Sequence, residues 1–323
     1  MDLCDQYSLK NRHPRSPSCQ TMKIFVVGAS GAIGQPLIAE LIRRGHAVTG
    51  MSRSDAGAKS LTELGATVAS ADARDESSLR NALRQSHAEV VINQLTSLPK
   101  DPSQLSAALP GDRKLRLEAG GNLQRAAQAE GVRRYVQQLS GFFLKARAGL
   151  ADESDGLLTK ASAGVALSAQ MYAELEARLQ NAGQLECVGL RYGFFYGPRT
   201  WYHPDGAVGD QVRRGEMPII GDGEAVWSWI HIEDAAVATV LALTAPPGIY
   251  NIVDDDPSPV ARWLPAFARS MGAPPPPKIT EEQAREAAGE DAVYYGTKLE
   301  GASNEKAKRT FAFSPRRLEW LSE

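Results

Sequence analysis

After a polar stretch the chain opens on Ile24-Phe25-Val26-Val27, an apolar run closed by Gly28. A run so short and so uniformly apolar predicts a strand buried on both faces. The period then changes. Ile33, Leu37 and Leu41 recur every four residues with Ile38 and Ile42 beside them, the stripe of an amphipathic helix, and Gly45 closes it. Strands over 47–51, 67–69 and 90–92 alternate with helices over 56–64 and 77–83. After a Ser- and Pro-rich loop, Leu115, Ala119, Leu123, Ala126 and Ala127 line one face of a helix over 112–130, which Gly131 ends. A strand at 135–139, a helix at 165–181 and a strand at 185–190 continue the series. Strands alternating with helices imply parallel pairing through right-handed crossovers. The predicted fold class is α/β, a Rossmann-type doubly wound parallel sheet with helices on both faces.

Beyond residue 195 the alternation breaks. Short apolar runs at 218–220 and 227–230 are separated by Gly and Pro, and Pro274 to Pro277 form a stiff spacer. A helix over 233–243 and a strand over 249–251 are expected to return to the sheet. The nucleotide-binding domain is therefore expected to span 22–194 and to be completed by about 231–253. Residues 195–230 and 254–323 are expected to form a small C-terminal α/β substrate lobe. The first 21 residues are polar, contain Pro14 and Pro17, and show no core-forming period. With Met22 directly before the first strand, residues 1–21 are expected to be a disordered extension.

Composition narrows the partners. The chain has 323 residues, enough for a large core, and a formal net charge of -2. No basic excess points to nucleic acid or to an acidic membrane surface, and no apolar run is long enough to span a bilayer. Cys4, Cys19 and Cys187 are widely spaced and odd in number, and the five histidines lack ligand spacing. Neither a metal site nor a disulfide framework is expected, which suits a reducing, cytoplasmic setting.

The densest chemical signal is Gly28-Ala29-Ser30-Gly31-Ala32-Ile33-Gly34, placed between an apolar strand and an amphipathic helix. Glycine at 28 permits the tight turn, glycine at 31 lets a diphosphate approach the backbone, and glycine at 34 allows close helix packing. Free amides at the helix start attract the anion. Enzymes that use NAD usually place a carboxylate after the second strand, to bind the ribose 2′-hydroxyl. Here Ser52-Arg53-Ser54 stands there, a guanidinium and two hydroxyls suited to a 2′-phosphate, so the expected cofactor is NADP. Asp72, after the third strand, either meets the adenine amino group or caps its own loop.

These residues resemble the extended short-chain dehydrogenase/reductase family of the NAD-dependent epimerase/dehydratase type. The resemblance extends through Gly131-Val132-Arg133-Arg134-Tyr135-Val136, Arg191-Tyr192-Gly193-Phe194-Phe195-Tyr196-Gly197-Pro198, Trp229-Ile230-His231-Ile232-Glu233-Asp234 and Ala302-Ser303-Asn304-Glu305-Lys306-Ala307-Lys308. It implies that Ser140, at the end of the fifth strand, orients the reacting oxygen. It also implies that Tyr192 and Gly193 contact the nicotinamide, chiefly through backbone atoms. The family's Tyr and Lys, four residues apart on the next helix, are not there: the alignment puts Ala166 and Gln170 in their places. Tyr172 is the weak substitute, as much a packing aromatic as an acid. Lys145 and Lys160 read as solvated, His231 as a satisfied structural histidine, and Arg199, Trp201, Tyr202 and His203 as parts of a substrate loop. The expected function is NADP(H)-dependent oxidoreduction of a small carbonyl or alcohol. A sugar-nucleotide epimerase or dehydratase, or a non-catalytic NADP(H) sensor, are the alternatives. The resemblance further implies a homodimer through the helices at 112–130 and 165–181.

Overall fold

The computed structural model describes residues 21–321, so the expectation for the leading segment lies outside the described residues. Seven strands build the main sheet: β1 (Lys23–Val27), β2 (Ala47–Met51), β3 (Thr67–Ala69), β4 (Val90–Asn93), β5 (Arg134–Ser140), β6 (Glu186–Tyr192) and β7 (Gly248–Ile252). Their spatial order is β7-β6-β5-β4-β1-β2-β3, and every neighbouring pair is parallel. The order reverses between β1 and β4, which opens a crevice beyond the carboxyl ends of the strands at that point.

Alternation along β1 divides the core. Ile24 and Val26 pack with α1 (Gly34–Arg43), while Phe25 and Val27 pack on the opposite face with α3 (Glu76–Ser86) and α4 (Leu105–Ala129). The first face also takes Leu61 of α2 (Asp55–Glu63), and the second takes Leu175 of α5 (Ala163–Gln180). The sheet is thus covered on both sides, as uniformly apolar parallel strands require.

Two departures from the sequence expectation matter. Helix α4 begins at Leu105 rather than 112, entered through a single 3-10 turn whose first amides Asp101 caps, and it carries Pro110 inside. The proline conceals that start in the sequence, because it normally marks a boundary. The segment after residue 253 is more helical than its Pro and Gly content suggests: α8 (Val260–Ser270), α9 (Glu281–Thr297) and α10 (Glu305–Phe311) follow α6 (Ala207–Arg213) and α7 (Ile232–Leu241). Strand β7 does join the main sheet, as expected, beside β6.

Candidate functional site

The glycine loop has the geometry that its sequence predicts. Gly28 adopts φ 78°, and a Cβ there would stand 2.4 Å from the carbonyl oxygen of Gln94. At Gly34 a Cβ would stand 2.3 Å from the carbonyl oxygens of Gly28 and Ala29, so α1 seats against the loop only because no side chain intervenes. Helix α1 starts without a side-chain cap at Ile33. Ser30, Gly31 and Ala32 are exposed, and the amides of Ala32 and Ile33 have no partner among the described residues. An uncapped ten-residue helix with free amides beside an exposed loop is fitted to a dinucleotide's diphosphate.

At the end of β2 the three polar residues divide their work. Ser54 caps α2, its hydroxyl accepting from the Gly57 amide at 3.2 Å. Ser52 is buried and bridges to Ser54 at 3.1 Å. Arg53 is exposed, with no hydrogen-bond or ion-pair partner among the described residues. The two hydroxyls therefore shape the loop, and the guanidinium projects from it without a partner among the described residues. Asp72 takes the loop-capping role with one oxygen, which accepts from the Arg74 amide at 3.0 Å.

Ser140 closes β5 in register with Tyr192 at the end of β6. It is 2% exposed, and its hydroxyl meets only the Phe142 amide, at 3.5 Å. The Tyr192 hydroxyl is consumed by Thr239 and Gln94, and burial pushes it up to about 12. Its side chain is thus a core anchor, which leaves only backbone atoms for a ligand. The Gly193 amide is already bonded to the Ile252 carbonyl.

Helix α5 contains one tyrosine, Tyr172, and no lysine. Ala166 is half-buried and Gln170 exposed; at the four-residue spacing the buried face carries Val165 and Ala169 instead. Neither pair can exchange a proton. A Tyr-Lys pair at that spacing does stand elsewhere, Tyr294 and Lys298 at the end of α9. Tyr172 is buried with its ring 5.8 Å from that of Phe143, and its hydroxyl makes no hydrogen bond among the described residues. The Arg116 guanidinium lies 5.6 Å from the Tyr172 ring. Burial raises the phenol above its ordinary value; Arg116 pulls the other way without reversing it.

Several features of this region escape sequence reasoning. Arg116 is 4% exposed, pairs with Asp112 at 2.7 Å and leaves Nη1 without a partner. Asp112 in turn accepts from the Ser97 amide at 2.5 Å, tying α4 to the loop after β4. Spacing in i,i+4 could suggest the ion pair, but nothing local announces its burial. Aromatic rings gather at the carboxyl edge of the sheet: Phe142 stacks on Phe194 at 4.1 Å, and Phe194 on Trp227 at 4.0 Å. Tyr295 and Tyr202 meet Phe194 edge-on. Trp201 fastens its loop down by donating to the Pro99 carbonyl at 3.2 Å. His231 caps α7 and faces Arg316, the structural role expected of it.

Two cavities of about 460 and 430 Å³ lie off the glycine loop, one against Leu150, Val226 and Lys298, the other behind Pro198 and His203. Among the described residues no cluster of His, Cys, Asp or Glu could hold a metal ion, and no helix is long and apolar enough to cross a membrane.

Comparisons with known proteins agree with this geometry. A 3-diazoavenalumate denitrifying reductase from a Streptomyces species is 34% identical over 302 residues, covering 93% of this chain and 98% of that protein. Thermus thermophilus UDP-glucose 4-epimerase, solved in complex with NAD, is 25% identical with a TM-score of 0.69, covering 93% of this chain and 96% of that one. The Thermotoga maritima UDP-glucose 4-epimerase, solved with UDP-glucose, shares the fold at 19% identity and a TM-score of 0.73, covering 93% and 95%. The profile of the NAD dependent epimerase/dehydratase family matches residues 24–253, through the glycine loop, Ser140 and the return of β7 to the sheet, and the chain belongs to that family.

Proposed function

We propose that the chain is an NADP(H)-dependent reductase that delivers hydride to a small aromatic electrophile, and that a diazo-substituted aromatic fits best. The observation that carries this reading is α5: its buried face offers Val165, Ala169 and a phenol raised by burial, with no lysine to assist it. General acid–base catalysis works best when the pKa lies near the working pH, and this phenol lies on the wrong side of that condition. Ser140 is buried, its hydroxyl accepts from the Phe142 amide at 3.5 Å, and its O–H remains free to orient a polar group of the substrate.

The bound dinucleotide would supply a hydride from nicotinamide C4. Reduction of a carbonyl leaves an alkoxide that must take up a proton. Hydride addition at a ring carbon bearing a diazonium group needs none: the C–H bond forms, the C–N bond breaks with its electron pair leaving on nitrogen, and N₂ departs. The relative named for denitrifying 3-diazoavenalumate supports this choice. So do Phe142, Phe194, Trp227 and Tyr172, whose rings suit a planar, cationic group. Arg53 supports NADP over NAD.

The test is to combine the protein, NADPH deuterated at C4 and an aryl diazonium salt, with protein-free controls, and to follow N₂ release and ring deuteration. Protein-dependent deuterium at the vacated carbon supports the reading. Turnover of aldehydes alone would return it to carbonyl reduction, and epimerisation of UDP-glucose would reject it. Differential binding of NADP⁺ and NADPH with no turnover of anything would mark a sensor. A homodimer through the outer faces of α4 and α5, where Leu167 is 49% exposed, is part of this proposal and is checked by light scattering at micromolar concentration.

A further inference from the structure

Arg199 has no part in the hydride transfer argued above, yet its exposed side chain turns back onto the start of α1. Its backbone is held at φ 65°, in the left-handed region that strains any residue with a Cβ. Its guanidinium reaches back to hydrogen-bond the Gln35 side chain, and Nη2 lies 3.5 Å from the Ala32 carbonyl oxygen. Among the described residues no carboxylate pairs with it, and desolvation alone pulls its pKa below the ordinary value. This unpaired cation stands at the first turn of α1, the positive end of the helix dipole. An anion arriving between the guanidinium and the helix start would meet a cation and the positive end of the helix together.

We propose that Arg199 is a second cation for the dinucleotide's diphosphate, and that it couples cofactor binding to the rigidity of the segment that follows it. The inference rests on the dinucleotide reading of the glycine loop. Arg199 is a positioning residue rather than a catalytic one. Two residues on, Trp201 is fastened to Pro99; three on, Tyr202 stands edge-on to Trp229 at 4.9 Å and to Trp227 at 6.0 Å. A diphosphate that holds Arg199 therefore also holds the segment bearing these rings, and binding of cofactor stabilises the aromatic packing already in place.

Calorimetric titration with NADP⁺, NAD⁺ and adenosine 2′-monophosphate separates the charges. Arg199→Ala should weaken NADP⁺ and NAD⁺ about tenfold or more. It should leave the diphosphate-free 2′-monophosphate within about twofold. Arg199→Gly, which also relieves the backbone, should behave like the alanine variant, and Arg199→Lys should recover part of the loss. In hydrogen exchange, NADP⁺ should protect amides 200–209 in the wild-type chain and not in Arg199→Ala. Undiminished NAD⁺ affinity, an equal loss for the 2′-monophosphate, or protection that persists in the variant would overturn the proposal. A wild-type chain that bound no dinucleotide would instead remove the dinucleotide reading, and this inference with it.

Discussion

Arg53 was legible as a residue because three consecutive polar positions follow an apolar strand, but its two serines were not. Their hydroxyls are spent on the loop and on the α2 cap, a division that only the folded turn reveals. Arg53→Ala should weaken NADPH by roughly one to two decades while leaving NADH nearly unchanged, since a charge-assisted hydrogen bond contributes about 1.5–3 kcal/mol. Equal losses for both in a fluorescence titration would remove the NADP assignment. Tyr172→Phe separates the two reductive chemistries: a rate on a diazonium substrate within about threefold of wild type is expected, against the 10²–10⁴-fold loss that removing a true general acid brings.

Asp254 is a third residue that the sequence could not single out from its acidic run. It is 2% exposed, with one oxygen unpartnered, and burial raises its pKa to about 8. A carboxyl raised in the folded state binds its proton there while the unfolded chain has released it. Its contribution is therefore fully present below the ordinary Asp range and is lost as pH rises from about 4 towards 8. Asp254→Asn should gain stability relative to wild type across that window, by up to about 1.4 kcal/mol for each pH unit. Melting curves of the two proteins that stay parallel from pH 5 to 8 would show that Asp254 is ionised in the fold.

Elements were easiest to read where period and punctuation agree. Strand β1, the glycine loop and α1 satisfy both, and the structure places them within a residue or so of the expectation. Helix α4 was misjudged at its start because a helix-breaking residue lies inside it, on an exposed turn that tolerates the missing hydrogen bond. Helix α8 was hidden for the same reason, by Pro265, whereas α9 is interrupted by a non-helical Gly289. On α5 only burial shows which stripe faces the sheet, Val165 and Ala169, and which turns away from it, Gln170. Gly34→Ala tests the element contact that was legible. Its Cβ would press on two backbone carbonyls, which cannot rotate aside as a side chain can. The strain should cost about 1–3 kcal/mol, with a larger loss of dinucleotide affinity than of stability. Unchanged binding would mean that α1 can retreat from the loop.

For the whole molecule, the chain leaves the sheet after β6 and returns only at β7, so the sheet and the aromatic region share one connected core. Calorimetry should give a single unfolding transition. Ligand at a hundred times its dissociation constant contributes about 2.7 kcal/mol, so NADPH should raise that transition by several degrees. Two separate peaks would show that the C-terminal segment unfolds alone.

The same delay has a meaning during synthesis. Strand β6 emerges from the ribosome about 55 residues ahead of β7, its partner on the outer side. At roughly 5–20 residues per second, its hydrogen-bonding edge waits seconds without a neighbour. In the finished protein that edge is covered; in the nascent chain its seven residues are an unpaired strand edge where another chain can pair. Chains stalled near residue 230 should therefore recruit chaperone more strongly than chains stalled past residue 260, and the yield of folded protein should depend on how quickly translation crosses the stretch between them.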